Sequence, residues 1–401
     1  MKKRHFISNY LNLGILAISG FAANLICDHY FGSEIVGVLN TSTSLYIILT
    51  QCAAWGQQAY LQSQLPLCQT DSEIKEKLTL SLFSSLSMSI LFAAVAVLLT
   101  LAFNKTEYTL LALSTLAMGP AKTLTFSQLG LGRYHRFAMC SSARPAFFLI
   151  SIAILGVLGQ ASFLGAAFLA AELLTLLVAT LMTSQHISRS IPSKQNLLDN
   201  LRHNSANFIS IMTMELNTRL DIIVISFLGS KEQVAIYSVA LIFFEGFYQA
   251  LVVIRNIISK TLTKLHFSSS NELKLFAKQT AKKVYLFAMA MGISAFVTIP
   301  WLIKIYKNQD LYLESIALAY TVIAVQTALA GLLVFDNFLG VINKPQLYLK
   351  QKSFILLFNL IAQPVFFLSM GLMGSAIATS LSYLCSAALN YLAISTSRAA
   401  A

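Results

Sequence analysis

The sequence predicts an all-α polytopic membrane protein of about twelve transmembrane helices, arranged as two six-helix pseudo-symmetric lobes. Three observations predict it. Apolar stretches of about 20 residues, each long enough to cross a hydrocarbon core roughly 30 Å thick, recur from end to end. Only 11% of the 401 residues are charged against 56% hydrophobic, too few to give soluble helices a polar outer face. The basic residues, finally, collect in alternate gaps between the apolar stretches.

The expected spans are 7–27, 35–60, 79–103, 108–130, 145–159, 162–183, 204–228, 234–259, 284–303, 312–339, 354–372 and 374–396. With Lys2, Lys3 and Arg4 taken as cytoplasmic, every second gap is basic. Lys75 and Lys77 fall in one, Arg133, Arg136 and Arg144 in the next, then Arg189, Lys194 and Arg202. The run from Lys260 to Lys283, then Lys344, Lys350 and Lys352, and finally Arg398 complete the series. The opposite gaps hold only Lys105, Lys231, Lys304 and Lys307. Such an asymmetry predicts an even number of spans with both termini inside. It also accounts for the net charge of +12, so the lysines and arginines orient the chain in a bilayer and do not form a nucleic-acid patch. The basic start reads as the edge of a retained first span, because similar segments follow it. No gap is long enough for a folded domain, and the largest, 260–283, has the length of one short surface helix.

Five cysteines, Cys27, Cys52, Cys68, Cys140 and Cys385, show neither CxxC spacing nor clustering, and predict no disulfide framework and no metal site. The six histidines lie at span edges or in gaps without an HExxH or triad-like grouping, and no P-loop lysine motif occurs. No enzyme chemistry and no cofactor are therefore expected.

The halves resemble each other. Asn40, Gln51 and Gln58 of the second span recur as Ser238, Gln249 and Asn256 of the eighth, all at one offset of 198 residues. Phe31-Gly32-Ser33-Glu34 before the second span resembles Leu228-Gly229-Ser230-Lys231 before the eighth. Lobes of 1–200 and 201–401 follow, with a shared site expected at the repeat interface.

Within the second span Asn40, Ser44, Gln51, Gln58 and Gln62 fall within about 40° of one another at 100° per residue, a polar stripe. Ser238, Glu245, Gln249 and Asn256 repeat the device in the eighth. Lipid solvates neither stripe, so each faces a watery cavity or glues helices together by hydrogen bonds. Two symmetric stripes running most of a span exceed what gluing requires. Charges inside spans are Lys122, Glu172, Glu215, Arg219, Asp221, Glu245, Arg255 and Asp336, each costing at least about 2.5 kcal/mol near the bilayer centre unless it has a partner or a wet site. Glu215 and Arg219 stand at i and i+4 and either neutralise each other or contact substrate. Lys122 follows Pro120, and Arg255 sits near a span end where it either lines the cavity or snorkels. Glu172 lies nearer mid-span, as a candidate proton or cation site. Asn204, Asn207, Thr218 and Asp221 share one broad half of the seventh span.

Two segments carry a family resemblance. They are Cys27-Asp28-His29-Tyr30-Phe31-Gly32-Ser33-Glu34-Ile35-Val36-Gly37, and Leu220 to Gly229 leading to Val234-Ala235-Ile236-Tyr237-Ser238. With the whole-length architecture, the chain resembles the Wzx-type polysaccharide repeat-unit flippases of the multidrug/oligosaccharidyl-lipid/polysaccharide exporter superfamily. The resemblance implies a MATE-like fold in the bacterial inner membrane and alternating access. It implies as substrate an undecaprenyl-diphosphate-linked oligosaccharide, an O-antigen or related repeat unit, moved from the cytoplasmic to the periplasmic leaflet. It further implies H+ or Na+ coupling and an association with other polysaccharide-assembly proteins. This chain has His29 and Gln62 where such members often carry basic residues. Lys122, Arg219 and Arg255 are then the candidate diphosphate partners, with Asn40, Gln51, Gln58, Gln249 and Asn256 solvating the sugar and Glu172, Glu215, Asp221 and Glu245 as ion-coupling or gating carboxylates.

Alternatives remain open at this point. A cation-coupled multidrug exporter would favour an acidic, aromatic-lined cavity, against which the mixed charge argues. A polymerase or acyltransferase would need a sizeable external loop or a catalytic histidine in a cavity. A non-transporting scaffold would use the stripes for assembly alone.

Overall fold

A computed structural model of the chain describes residues 18–396 apart from Arg189, Ser269 and Asn343. The N-terminal Lys2-Lys3-Arg4, the first part of the span expected at 7–27, Arg189 and Arg398 lie outside the described residues. The chain is an all-α polytopic membrane protein. Among the described residues eight helical stretches are long and apolar enough to cross a bilayer, the last of them, Gln346–Ser395, holding two helices.

The helices divide into two compact units, Met1–Glu215 and Leu216–Ala401. In the first, α1 (18–31), α2 (Ser33–Ala54), α3 (Gln57–Gln64), α4 (Asp71–Ala102), α5 (Thr109–Gly130), α6 (Tyr134–Leu158) and α7 (Leu164–Thr183) precede the start of α8 (Lys194–Leu228). α5 is central, packed against α2, α3, α4 and α7. Its buried small residues Ala112, Ser114, Ala117, Gly119 and Ala121 let neighbouring helices approach closely, as membrane bundles require when apolar association gains nothing over lipid. α4 and α6 turn Leu86, Ile90, Leu98, Ile150 and Ile154 outward as a lipid-facing surface.

The second expected span is interrupted. Trp55 and Gly56 adopt left-handed φ of 45° and 74°, ending α2 and starting α3 in a new direction. The break is held by α8, with the Trp55 ring stacked 4.0 Å from that of Phe208 and Trp55 Nε1 donating to Leu201 O at 3.1 Å. A Cβ on Gly56 would stand 2.9 Å from the backbone of both Asn204 and Phe208, so glycine serves both the dihedral and the contact.

The second unit continues with α9 (Lys231–Ser268), α10 (Ser270–Ile303), α11 (Leu313–Leu333), the single turn α12 (Phe338–Val341) and α13 (Pro345–Ser395). Ser230 and Gln233 cap α9 reciprocally, Gln233 N donating to Ser230 Oγ at 3.2 Å and Ser230 N to Gln233 Oε1 at 2.9 Å, which satisfies two donors that a helix start leaves open. α11 packs against α9, α10 and α13. Within α13, Gly371 at φ 63° and ψ −143° separates the two spans expected at 354–372 and 374–396. The gap at 260–283 is taken up by the extension of the two helices beside it, α9 running to Ser268 and α10 beginning at Ser270.

Candidate functional site

Many hydroxyls inside the helices are satisfied by their own backbone: Thr43, Thr50, Thr175 and Thr183 each donate to the carbonyl four residues earlier. They therefore say little about a cavity. Amides and charges reach across helices, and they define the polar centre of each unit.

In the first unit the amides predicted as a stripe do meet one another, though not as one regular helix. Asn40 Nδ2 donates to Asn24 Oδ1 of α1 at 2.6 Å. Beyond the Trp55-Gly56 break, Gln58 Nε2 donates back to Gln51 Oε1 at 3.0 Å. The same oxygen accepts from Lys122 Nζ at 2.8 Å, while Gln51 Nε2 donates to Glu215 Oε1 of α8 at 3.0 Å. Gln51 is thus an amide bridge between a cation on α5 and a carboxylate on α8. Gln51 and Gln58 are buried, whereas Lys122 and Glu215 keep partial exposure. Asn204 of α8 is fully buried, held to Asn200 and bonded by Asn207, and Gln57 Nε2 reaches Asn200 at 2.7 Å.

Beside this bridge lies an ion pair whose cation, Arg144, belongs by hydropathy to a cytoplasmic gap. Arg144 stands ten residues into α6 and grips Glu172 of α7 through two oxygens, Nε–Oε1 at 2.6 Å and Nη2–Oε2 at 3.1 Å. Glu172 is fully buried, and the Tyr46 hydroxyl donates to its Oε1. The Arg144 guanidinium also sits 5.8 Å from the centre of the Tyr46 ring. The available signal was Glu172 itself, since a mid-span carboxylate requires a cation. Its partner lies outside the apolar run because α6 starts well before it.

In the second unit, Arg219 meets Glu245 at 3.2 Å. Asp221 is buried and accepts from the Tyr237 hydroxyl at 3.0 Å, Tyr237 lies 3.1 Å from Thr379, and Gln363 Nε2 donates to Thr379 at 2.9 Å. Asn359 Nδ2 donates to Asn217 at 2.6 Å and also accepts from the Ser382 hydroxyl. The eighth-span stripe is less uniform than its counterpart, with Ser238 buried and bonded to Val234 O while Gln249 and Asn256 are exposed.

Asp336 forms a fourth centre. It is buried, pairs with Lys352 Nζ at 2.5 Å, accepts from Ser386 at 2.5 Å and Tyr248 at 3.0 Å, and lies 3.8 Å from Arg255 Nη1. Arg255 therefore points at a buried carboxylate, and Lys352 is a buried helical residue of α13, although its position in the sequence suggested a loop cation. Among the described residues no group of three or more His, Cys, Asp or Glu side chains could hold a metal ion.

No family model matches the chain, and no curated protein matches its sequence. Solved structures do match. An inward-facing multidrug resistance MATE family transporter of the MOP superfamily aligns with a TM-score of 0.79 at 14% identity, over 94% of each chain. The lipid II flippase MurJ in an inward closed conformation aligns at 0.73 and 16% identity, over 98% of this chain and 88% of that one. A MATE protein in complex with MaL6 aligns at 0.66 and 13%, over 97% and 94%. At such identities the similarity is one of architecture: the chain has the all-helical membrane fold shared by MATE transporters and the flippase MurJ.

Proposed function

We propose that the chain is a transporter that moves a lipid-linked oligosaccharide carrying a diphosphate from one leaflet to the other by alternating access, in the manner of a Wzx-type flippase of the bacterial inner membrane. The observation that carries this reading is Lys122: a partly exposed cation whose hydrogen bond goes to the oxygen of the Gln51 amide, with Glu215 bonded to that amide's other end. A lysine already neutralised by a carboxylate gains little from a second anion. One resting on an amide exchanges a neutral acceptor for a charged one, and charge-assisted bonds are roughly twice as strong. Gln51 then carries the event to α8 through Glu215. The fold shared with a lipid II flippase supports a lipid-linked substrate.

On this reading Asn40, Gln58, Gln249 and Asn256 are further substrate contacts, Arg219 and Arg255 reach the substrate only by exchanging Glu245 and Asp336 for it, and Glu215, Asp221 and Glu245 are the coupling or gating carboxylates. Glu172, enclosed by Arg144 and Tyr46, suits a fixed anchor better than a coupling site. The MATE neighbours support a second reading, cation-coupled export of a drug-like compound.

Reconstituted into vesicles with a fluorescent undecaprenyl-diphosphate oligosaccharide, the protein is expected to expose the label to an external quencher. Lys122→Ala should slow this by about tenfold to a hundredfold, the loss expected of one charge-assisted contact. Unchanged movement by a well-folded Lys122→Ala protein would remove the lysine from the mechanism. Export of a cationic dye with no movement of the lipid would favour the exporter.

A further inference from the structure

A cavity of about 370 Å³ opens in the second unit, and none of the ion-paired residues above lines it. Its walls are both halves of α13, closed by Leu339 and Ile342. The first half presents Leu347, Lys350, Gln351 and Phe354, spaced i, i+3, i+4 and i+7 on one helix face. The second presents Leu389, Ala393 and Thr396, again on one face. Because the chain reverses at Gly371, the start and the end of α13 come to the same membrane edge, and Gln351 Nε2 pins the halves together by donating to Asn390 Oδ1 at 2.8 Å.

The lining contains two ammonium groups, Lys344 and Lys350, and no carboxylate. The carboxylate of this region, Asp336, is committed to Lys352 and cannot neutralise them. Below the lysines the surface is apolar and open. Phe354 is 56% exposed, and Leu357, Ile361, Val365 and Leu368 continue an exposed stripe along α13 toward the bilayer interior. A cation pair at the membrane edge, a cavity within the range of small-molecule sites, and a greasy track leading away from it match a headgroup phosphate joined to an acyl chain.

We propose that this cavity is a binding site for an anionic phospholipid. Its phosphate lies between Lys344 and Lys350, the amide of Gln351 and the hydroxyl of Thr396 meet headgroup oxygens, and an acyl chain follows the Phe354 to Leu368 stripe. A free phosphate would use the lysines and leave the stripe idle, so the lipid is the occupant the geometry favours. The site is separate from the transported substrate, and its occupancy would fasten the two halves of α13 at one edge.

Native mass spectrometry of the full chain in non-ionic detergent, titrated with phosphatidylglycerol or phosphatidylcholine, tests this. The wild-type protein should bind phosphatidylglycerol in preference to phosphatidylcholine. The double variant Lys344→Ala, Lys350→Ala should lose about 30-fold in phosphatidylglycerol affinity, roughly fivefold per lysine near a membrane surface. Lys282→Ala with Lys283→Ala, which removes two exposed lysines elsewhere in the unit, should leave affinity unchanged. Phe354→Ser should weaken the lipid without altering its charge preference. Equal binding by the Lys344/Lys350 variant and the wild type, or equal loss in the Lys282/Lys283 control, would overturn the site. Displacement of the lipid by inorganic phosphate at equal concentration would overturn the lipid assignment.

Discussion

Replacing Glu172 by glutamine tests whether a buried ion pair organises the first unit. Glu172 has no exposed side-chain surface and receives three contacts, two from the Arg144 guanidinium and one from the Tyr46 hydroxyl. Glutamine keeps the volume and one acceptor but leaves the Arg144 charge uncompensated within the bundle. Removing one partner of a buried pair costs about 3–5 kcal/mol. The Arg144 side chain retains 28% exposure and recovers some hydration, which places the expected loss near the lower end, about 3 kcal/mol. The double change Arg144→Met, Glu172→Gln removes both charges, fills similar volume and keeps an acceptor for the Tyr46 hydroxyl, so it should lie within about 1 kcal/mol of the wild type. Denaturant titration of the purified protein in mixed micelles, followed by tryptophan fluorescence, reads all the variants on one scale. A single variant within about 0.5 kcal/mol of the wild type, or single losses that simply add in the double variant, would refute the reasoning, because residues in contact must couple.

Two other substitutions extend the test. Asp336→Asn deprives both Lys352 and Arg255 of their carboxylate and should cost about 3–5 kcal/mol in the same titration, with Lys352→Met added in the same chain restoring part of the loss; equal stability of Asp336→Asn and wild type would show that the cations find other partners. Gly56→Ala places a Cβ against the backbone of α8 at a left-handed φ and should lower stability by about 2 kcal/mol or more, measured by thermal unfolding, whereas an unchanged melting temperature would mean that α8 can withdraw without cost.

The helical architecture was legible in the sequence because a bilayer leaves a crossing chain little choice. Each apolar stretch must satisfy its backbone within itself, so span and helix coincide without reference to any other part of the chain. The expected spans at 108–130 and 162–183 match Thr109–Gly130 and Leu164–Thr183 within two residues for this reason. The amide stripe was legible only in part: Gln51 and Gln58 do bond, but across the break at Trp55 and Gly56, so their meeting is not the product of one helix's periodicity.

Pairing was not legible. Glu172 finds its arginine 28 residues away and its tyrosine 126 away, and Gln51 finds Glu215 at a separation of 164. Such contacts depend on the rotation of each helix about its own axis and on how closely its neighbours approach, and small residues on other helices set both. Hydropathy counted Arg144 and Lys352 as loop cations, because it sees where apolar runs begin and not how far a helix extends past them. Composition alone therefore determined that this chain crosses a membrane many times and carries charges it must shelter. The tertiary structure decided which carboxylate shelters which cation, and so left Lys122 resting on an amide while Arg144 and Lys352 are held by carboxylates.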